Sequence, residues 1–346
     1  MASTDKDLHL KHRVSAIFRK MGYISFNEVD LSTYSYQSTY RRKQITDFDV
    51  LGVRFEQDLS SSVAVAECKS VEERAMENLL KLHGVQDFFG AQRAYFVQQR
   101  IDVNARDVGS RMGIVCLDAE NLAAVMGSLE VREEKEVALE QAIYAARAAL
   151  QKEQKDVFPK QGEYLKYDYW TLPDNRNVIN LVRLIGQMGK EADKRPSHVV
   201  LLHQLVTALA MSTLKLTGAV VRYNVSDFQD GLLTVLLGGS RERRDREALH
   251  DAVAKMVPDG SVPLVPDFFK PLAELATRYV HAMQHSCRIG ACLDEMGRRL
   301  LEPSLTKEKL TKDFSERTIK LSRDAIHFAA DVGGVSRELF ASSLSD

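Results

Sequence analysis

The stretch Val63-Ala64-Val65-Ala66-Glu67-Cys68-Lys69 sets a carboxylate and an amine at the end of an apolar run. A strand alternates its side chains with period two, so Val63, Val65, Glu67 and Lys69 leave one face while Ala64, Ala66 and Cys68 leave the other. Charge on a strand that should be buried is either paired or used chemically. Just upstream, Ile45 to Phe55 reads as a second strand, joined to the first by the polar turn Glu56 to Ser62. Its Asp47 and Asp49 also share a face. If the two strands pair as a hairpin, Asp49 and Glu67 converge with Lys69 beside them. Two carboxylates and an amine form either a structural ion cluster or a reactive site.

The flanking elements follow from periodicity. Leu8, Val14, Ile17, Phe18 and Met21 recur at helical spacing, and Gly22 sits where a helix ends. Tyr23 to Leu31 alternates like a strand, and the Ser, Thr and Tyr-rich stretch from Ser32 to Lys43 leads into the Asp49 strand. Its tail, Arg41-Arg42-Lys43, reads either as a solvated turn or as a phosphate clamp beside the site. After Lys69 come a helix from Val71 to Leu82, continued or restarted over Gly84 to Ala91, a strand at 94–97, a helix at 103–112, a strand at 114–117 and a helix at 119–126. The order α-β-β-β-α-β-α-β-α implies a mixed sheet with helices on its faces.

Residues 128–159 read as a charged helical connector. Beyond them the spacing is almost wholly helical: Val178 to Met188, His198 to Thr217, Asp227 to Leu237, Glu247 to Met256, Pro271 to Leu301 and Lys307 to Val332, with breaks at Gly238-Gly239 and from Pro258 to Pro271. Arg241, Arg243, Arg244 and Arg246 alternate with acidic residues, which fits an ion-paired helix surface better than a nucleic-acid patch. The expected organisation is therefore an α/β domain over 1–127, a connector, and an α-helical domain over 160–346.

Composition narrows the function classes. The chain has 346 residues, 45% of them hydrophobic and 27% charged, with a formal net charge of -1. A global basic field for non-specific nucleic-acid binding is thus excluded, and any DNA surface must be local. No apolar run reads as a membrane span and Met1 to Asp7 lacks a signal-peptide core, so the expectation is a cytoplasmic protein that does not engage a membrane. Cys68, Cys116, Cys287 and Cys292 are scattered and form no C-x-x-C pair. His281 and His285, with Cys287 and Cys292 close behind, read as surface or interface residues sooner than as metal ligands.

Asp49 followed by Glu67-x-Lys69 on the next strand, after an N-terminal helix, resembles the PD-(D/E)xK nuclease superfamily of restriction-endonuclease-like fold. The resemblance extends to its Mrr-like branch through Gly90-Ala91-Gln92-Arg93-Ala94, through Asn104 to Ile114, and through Leu117-Asp118-Ala119-Glu120-Asn121-Leu122, covering about residues 8 to 126. No proline precedes Asp49, and the first helix offers His9, Lys11 and His12 where many relatives carry a glutamate.

The resemblance implies a metal-dependent DNA endonuclease, with a role in host defence or restriction. Phosphodiester hydrolysis needs charge neutralised on the phosphoryl oxygens, a water activated and the leaving alkoxide stabilised. Asp49 and Glu67 would hold Mg²⁺ or Mn²⁺, with the Cys68 backbone carbonyl as a further ligand. Lys69 would orient or deprotonate the attacking water, or stabilise the transition state. Asp47 is a supporting candidate, as is Gln86, with Gln92 as its alternative. Arg41, Arg42 and Lys43 would contact the DNA backbone. A homodimer or a partner protein would supply the second cut and help find DNA. The rival readings are an inactive nuclease fold that binds DNA or a partner protein, and an RNA or single-strand nuclease.

Overall fold

The computed structural model describes residues 5–35, 41–71, 74–223, 225–256, 263–307 and 309–341, without the side chains of 5, 6, 34, 35, 41, 42 and 307. Its N-terminal part is a mixed five-stranded sheet with helices, and a largely α-helical region follows. Helix α1 (Asp5–Lys20) leads into β1 (Ile24–Ser35), β2 (Arg41–Phe55) and β3 (Ser61–Lys69); then come α2 (Ala75–Phe89), β4 (Arg93–Gln98), α3 (Val103–Arg111), β5 (Ile114–Leu117) and α4 (Ala119–Ser128). The element order is the one expected from periodicity. Strands are hydrogen-bonded in the order β1-β2-β3-β4-β5, with β1 and β2 antiparallel and the β3-β4 and β4-β5 pairs parallel.

The sheet is positioned by the small side chains of β3. Ala64, Ala66 and Cys68 enter a core with Val14, Ile17 and Phe18 of α1, Tyr95 and Val97 of β4, and Leu122 and Met126 of α4. Helix α1 can lie this close to β2 because residue 52 is glycine: a Cβ there would come within 2.9 Å of the Phe18 ring. Gly22, at φ +84°, takes the left-handed turn that ends α1 and starts β1. Helix α2 is continuous through Gly84 and packs on β3 and β4, with the Phe89 ring edge-on to Phe48 at 5.2 Å.

Two compact units can be separated: residues 1–54, 61–156 and 162–171 form one, and 55–60, 157–161 and 172–346 the other. The segment expected as a connector, a π-turn at Glu133–Val137 running into α5 (Ala138–Val157), belongs mostly to the first unit. Its acidic residues pair with α1: Glu140 with Arg19 at 3.0 Å, Glu136 with Lys20 at 3.6 Å, and Glu133 with Arg13. The short α6 (Pro159–Glu163) follows.

The second unit contains α7 (Asp174–Gly189), α8 (Pro196–Tyr223), α9 (Phe228–Leu236), α10 (Ser240–Met256), α11 (Phe269–Val280), α12 (Met283–Ser286), α13 (Ile289–Leu301) and α14 (Glu316–Gly333). The stretch 271–301, expected as one helix, breaks into α11, α12 and α13. His281 therefore lies at the end of α11 and His285 in α12, which removes the shared helical face. Helix α8 is long and apolar enough to cross a membrane, with mean hydropathy 1.6 over its most apolar window, which the sequence reading did not expect because Thr, Ser, Gln and His interrupt the run. That window is 83% buried, as in the central helix of a bundle. Arg243 on α10 pairs with Asp230 at 2.7 Å and Glu247 at 2.8 Å, the ion-paired surface expected there.

Candidate active site

The C-terminal end of β3 is the place where charge accumulates inside the first unit. With Cys68 turned into the core, the pleat sends Glu67 and Lys69 to the opposite face. The Cys68 amide donates to Asp49 Oδ2 on β2 at 2.7 Å, which fixes that carboxylate in place. Lys69 Nζ then lies 2.7 Å from Glu67 Oε1 and 3.8 Å from Asp49 Oδ2. The carboxylates of Asp49 and Glu67 are almost fully buried, whereas Lys69 keeps 37% of its side chain exposed. The three residues of the sequence motif are thus brought together.

A second lysine completes the cluster. Asp7 on α1 accepts a hydrogen bond from the Ser70 amide at 2.8 Å, tying the start of α1 to the end of β3. One helical turn later, Lys11 places Nζ 2.9 Å from Asp49 Oδ1 and 3.2 Å from Glu28 Oε1, with its side chain only 7% exposed. Tyr144 on α5 donates its hydroxyl to Glu28 Oε2 at 3.0 Å. Glu28 itself has φ +55°, a left-handed conformation that a side chain with a Cβ rarely adopts. The β1-β2 register, Asn27 with Val50 and Val29 with Phe48, sets Glu28 across from Asp49.

Three carboxylates thus meet two ammonium groups, leaving one net negative charge when all are ionised. Burial and the neighbouring Asp49 charge hold the Glu67 acid above its ordinary value, with Lys69 pulling less strongly the other way. For Lys69, burial works against the charged form, yet Glu67 and Asp49 outweigh it and the ammonium is held above the usual lysine range. Lys11 follows the same balance: burial opposes its charge, and Asp49 and Glu28 raise it. Burial first, then the Asp49 charge, pushes the Cys68 thiol well up, so it is an uncharged core group and not a thiolate ligand.

Not every expected residue is here. Asp47 is exposed two residues before Asp49, and its charge adds to the raising of Lys69. Gln86 is at the wrong end of the unit: its amide donates to Ala91 O at 3.3 Å, before β4 begins. Gln92 accepts from Val63 N at 2.6 Å, also at the start of β3. The reason is that α2 runs back from the end of β3 toward its beginning, and 15 residues of helix span roughly 22 Å. The polar group that does flank the site is Gln98, which pairs with Lys69 in the β3-β4 register and is 1% exposed. Its amide donates to Val71 O while its buried Oε1 has no partner among the described residues.

Of the basic run, the side chains of Arg41 and Arg42 lie outside the described residues. Lys43 is exposed on β2, about 20 Å along the strand from Asp49. Nearer the cluster stands Lys81 on α2, exposed, whose charge reaches Glu67.

His12, another expectation for α1, is buried with its ring edge-on to Tyr144 at 5.2 Å, and burial lowers its pKa. His9 bonds Gln141 at 2.7 Å. Among the described residues no group of three or more His, Cys, Asp or Glu forms a metal cage. Compared with protein-family models, curated proteins and solved structures, the chain matches none of the three.

Proposed function

We propose that the first unit is a metal-dependent DNA endonuclease of the PD-(D/E)xK, restriction-endonuclease-like kind, hydrolysing phosphodiester bonds at Asp49, Glu67 and Lys69. The observation that carries this reading is the convergence of Asp49, from the middle of β2, with Glu67 and Lys69 at the end of the neighbouring β3 in a mixed sheet. The element order around them, from α1 to α4, agrees with the Mrr-like resemblance.

The donor set fits Mg²⁺ or Mn²⁺. Asp49 and Glu67 are hard oxygen ligands, and Mg²⁺ is commonly held by one or two carboxylates while keeping several waters. Burial first, and then the neighbouring Asp49 charge, raise the Glu67 acid, and a divalent cation would offset both by favouring the ionised form. When bound, the metal would supply charge neutralisation at the phosphoryl group and a more acidic water.

The chain's own residues divide the remaining work. Asp49 is oriented by the Cys68 amide. Lys69, partly exposed and 2.7 Å from Glu67, would donate hydrogen bonds and positive charge toward the phosphoryl oxygens or the attacking water, or help deprotonate that water. Lys81 and the basic run from Arg41 to Lys43 are the candidate phosphate contacts. The work is proposed to take place in the cytoplasm, on DNA, with a second copy or a partner protein cutting the other strand, in host defence or restriction.

One observation favours the inactive-scaffold rival: Lys11 and Lys69 already pair both carboxylates. Metal-dependent cleavage of DNA by the wild-type chain, lost in Lys69→Ala, separates the two.

A further inference from the structure

Lys11 is not needed to explain the motif, yet it pairs with one of the motif's two carboxylates. Its ammonium is 2.9 Å from Asp49 Oδ1 and is enclosed, with 7% of the side chain exposed. It is therefore poorly placed to reach a substrate phosphate, and well placed to meet any cation that approaches Asp49. Its other acceptor, Glu28 Oε1, is 3.2 Å away. Glu28 is held there by Tyr144 on its second oxygen and by an unusual left-handed backbone.

We propose that Lys11 is a built-in counter-ion that competes with the divalent metal for Asp49, and that Glu28 receives its ammonium when the metal binds. This rests on the metal-site reading above. Two positive charges sharing one buried carboxylate repel strongly, because the interior screens them less than water does. Without metal, Lys11 keeps Asp49 compensated, so the unit folds without a metal. With metal, the ammonium needs only a small shift onto a carboxylate it already touches. The consequence is a site tuned to weak metal affinity, which half-fills at a higher metal concentration than it would without Lys11.

The test is calorimetric titration of MgCl₂ and of MnCl₂ into the full chain. Wild type, Lys11→Met, Glu28→Gln, the double variant and Asp49→Asn are compared, with circular dichroism on each. Lys11→Met is expected to bind metal at least tenfold more tightly than wild type, and Asp49→Asn to lose binding. The weakening caused by Glu28→Gln is expected to be larger with Lys11 present than in the Lys11→Met background. Should Lys11→Met fail to fold, Lys11→Gln removes the charge while keeping a hydrogen-bonding group and gives the same readout. Metal binding that Asp49→Asn abolishes but Lys11 substitution leaves equal or weaker would overturn the competition and spare the metal site. Equal Glu28→Gln effects in both backgrounds would overturn the receiving role. No binding by any folded variant at millimolar metal would overturn both this inference and the metal-site reading.

Discussion

The ammonium of Lys11 and the Oδ1 atom of Asp49 lie 2.9 Å apart inside the first unit, so α1 meets the middle of β2 through a buried ion pair. Lys69 reaches the other oxygen of the same carboxylate at 3.8 Å. Asp49 is thus flanked by two cations from different elements.

Lys69 is held above the ordinary lysine range by Glu67 and Asp49 against the effect of burial. A role as positive charge predicts that Lys69→Arg cleaves DNA at least tenfold faster than Lys69→Met, although the guanidinium fits the geometry imperfectly. Initial rates on one plasmid substrate decide this. Equal inactivity of the two variants would point to a neutral amine acting as base.

Glu67 contributes in the opposite sense to stability. Its folded-state acid is raised, so the folded protein binds a proton more readily than the unfolded chain, and stability from this group falls as pH rises through the carboxylate range. In EDTA at pH 7, Glu67→Gln should melt no lower than wild type. The difference should shrink below about pH 4, where an ordinary glutamate also protonates. Thermal melts across pH test this, and a variant clearly less stable at pH 7 would show that the Lys69 pair outweighs the burial of the carboxylate.

Glu28 at φ +55° separates strain from contact. Glu28→Ala loses the Lys11 and Tyr144 partners and keeps the unfavourable backbone, whereas Glu28→Gly loses the partners and relieves the backbone. Glycine should therefore be the more stable of the two by about 1 kcal/mol. Denaturant midpoints report it, and alanine equal to or above glycine would mean that β1 relaxes out of the left-handed conformation.

DNA binding should be local and electrostatic, given a net charge of -1. Lys81→Ala and Lys43→Ala should each weaken binding across all sequences and lower the salt slope by about one. Fluorescence anisotropy at several salt concentrations measures both quantities. Unchanged affinity and slope in both variants would move the interface elsewhere.

Much of the first unit was legible because its signals are local. Alternation across Val63 to Lys69 is a property of neighbouring residues, and it placed Glu67, Lys69 and the buried Cys68 on their respective faces. Asp49 could be matched to Glu67 because a short turn joins their strands.

Lys11 was placed in the region of the site but not as a partner of Asp49, and Glu28, its second partner, was missed. They come from α1 and β1, and no pattern along the chain reports a helix docking by its Asp7 or a glutamate turned by a left-handed backbone. Gln86 was misplaced for a related reason: spacing shows that it is helical, but not that α2 carries it back to the start of β3. Gln98 was overlooked because one glutamine at the end of a short apolar strand has no signature until the parallel register sets it beside Lys69. Glu133, Glu136 and Glu140 read as part of a charged connector because charge alone does not report the basic face of α1 that they pair with.

The central claim is most directly tested by incubating supercoiled, linear and single-stranded DNA with the purified chain and Mg²⁺ or Mn²⁺, beside Lys69→Ala and an EDTA control. The account predicts conversion of supercoiled plasmid to nicked or linear forms by the wild type alone, and none in EDTA. Equal cutting by Lys69→Ala, cutting that persists in EDTA, or no cutting by the wild type with either metal would contradict it.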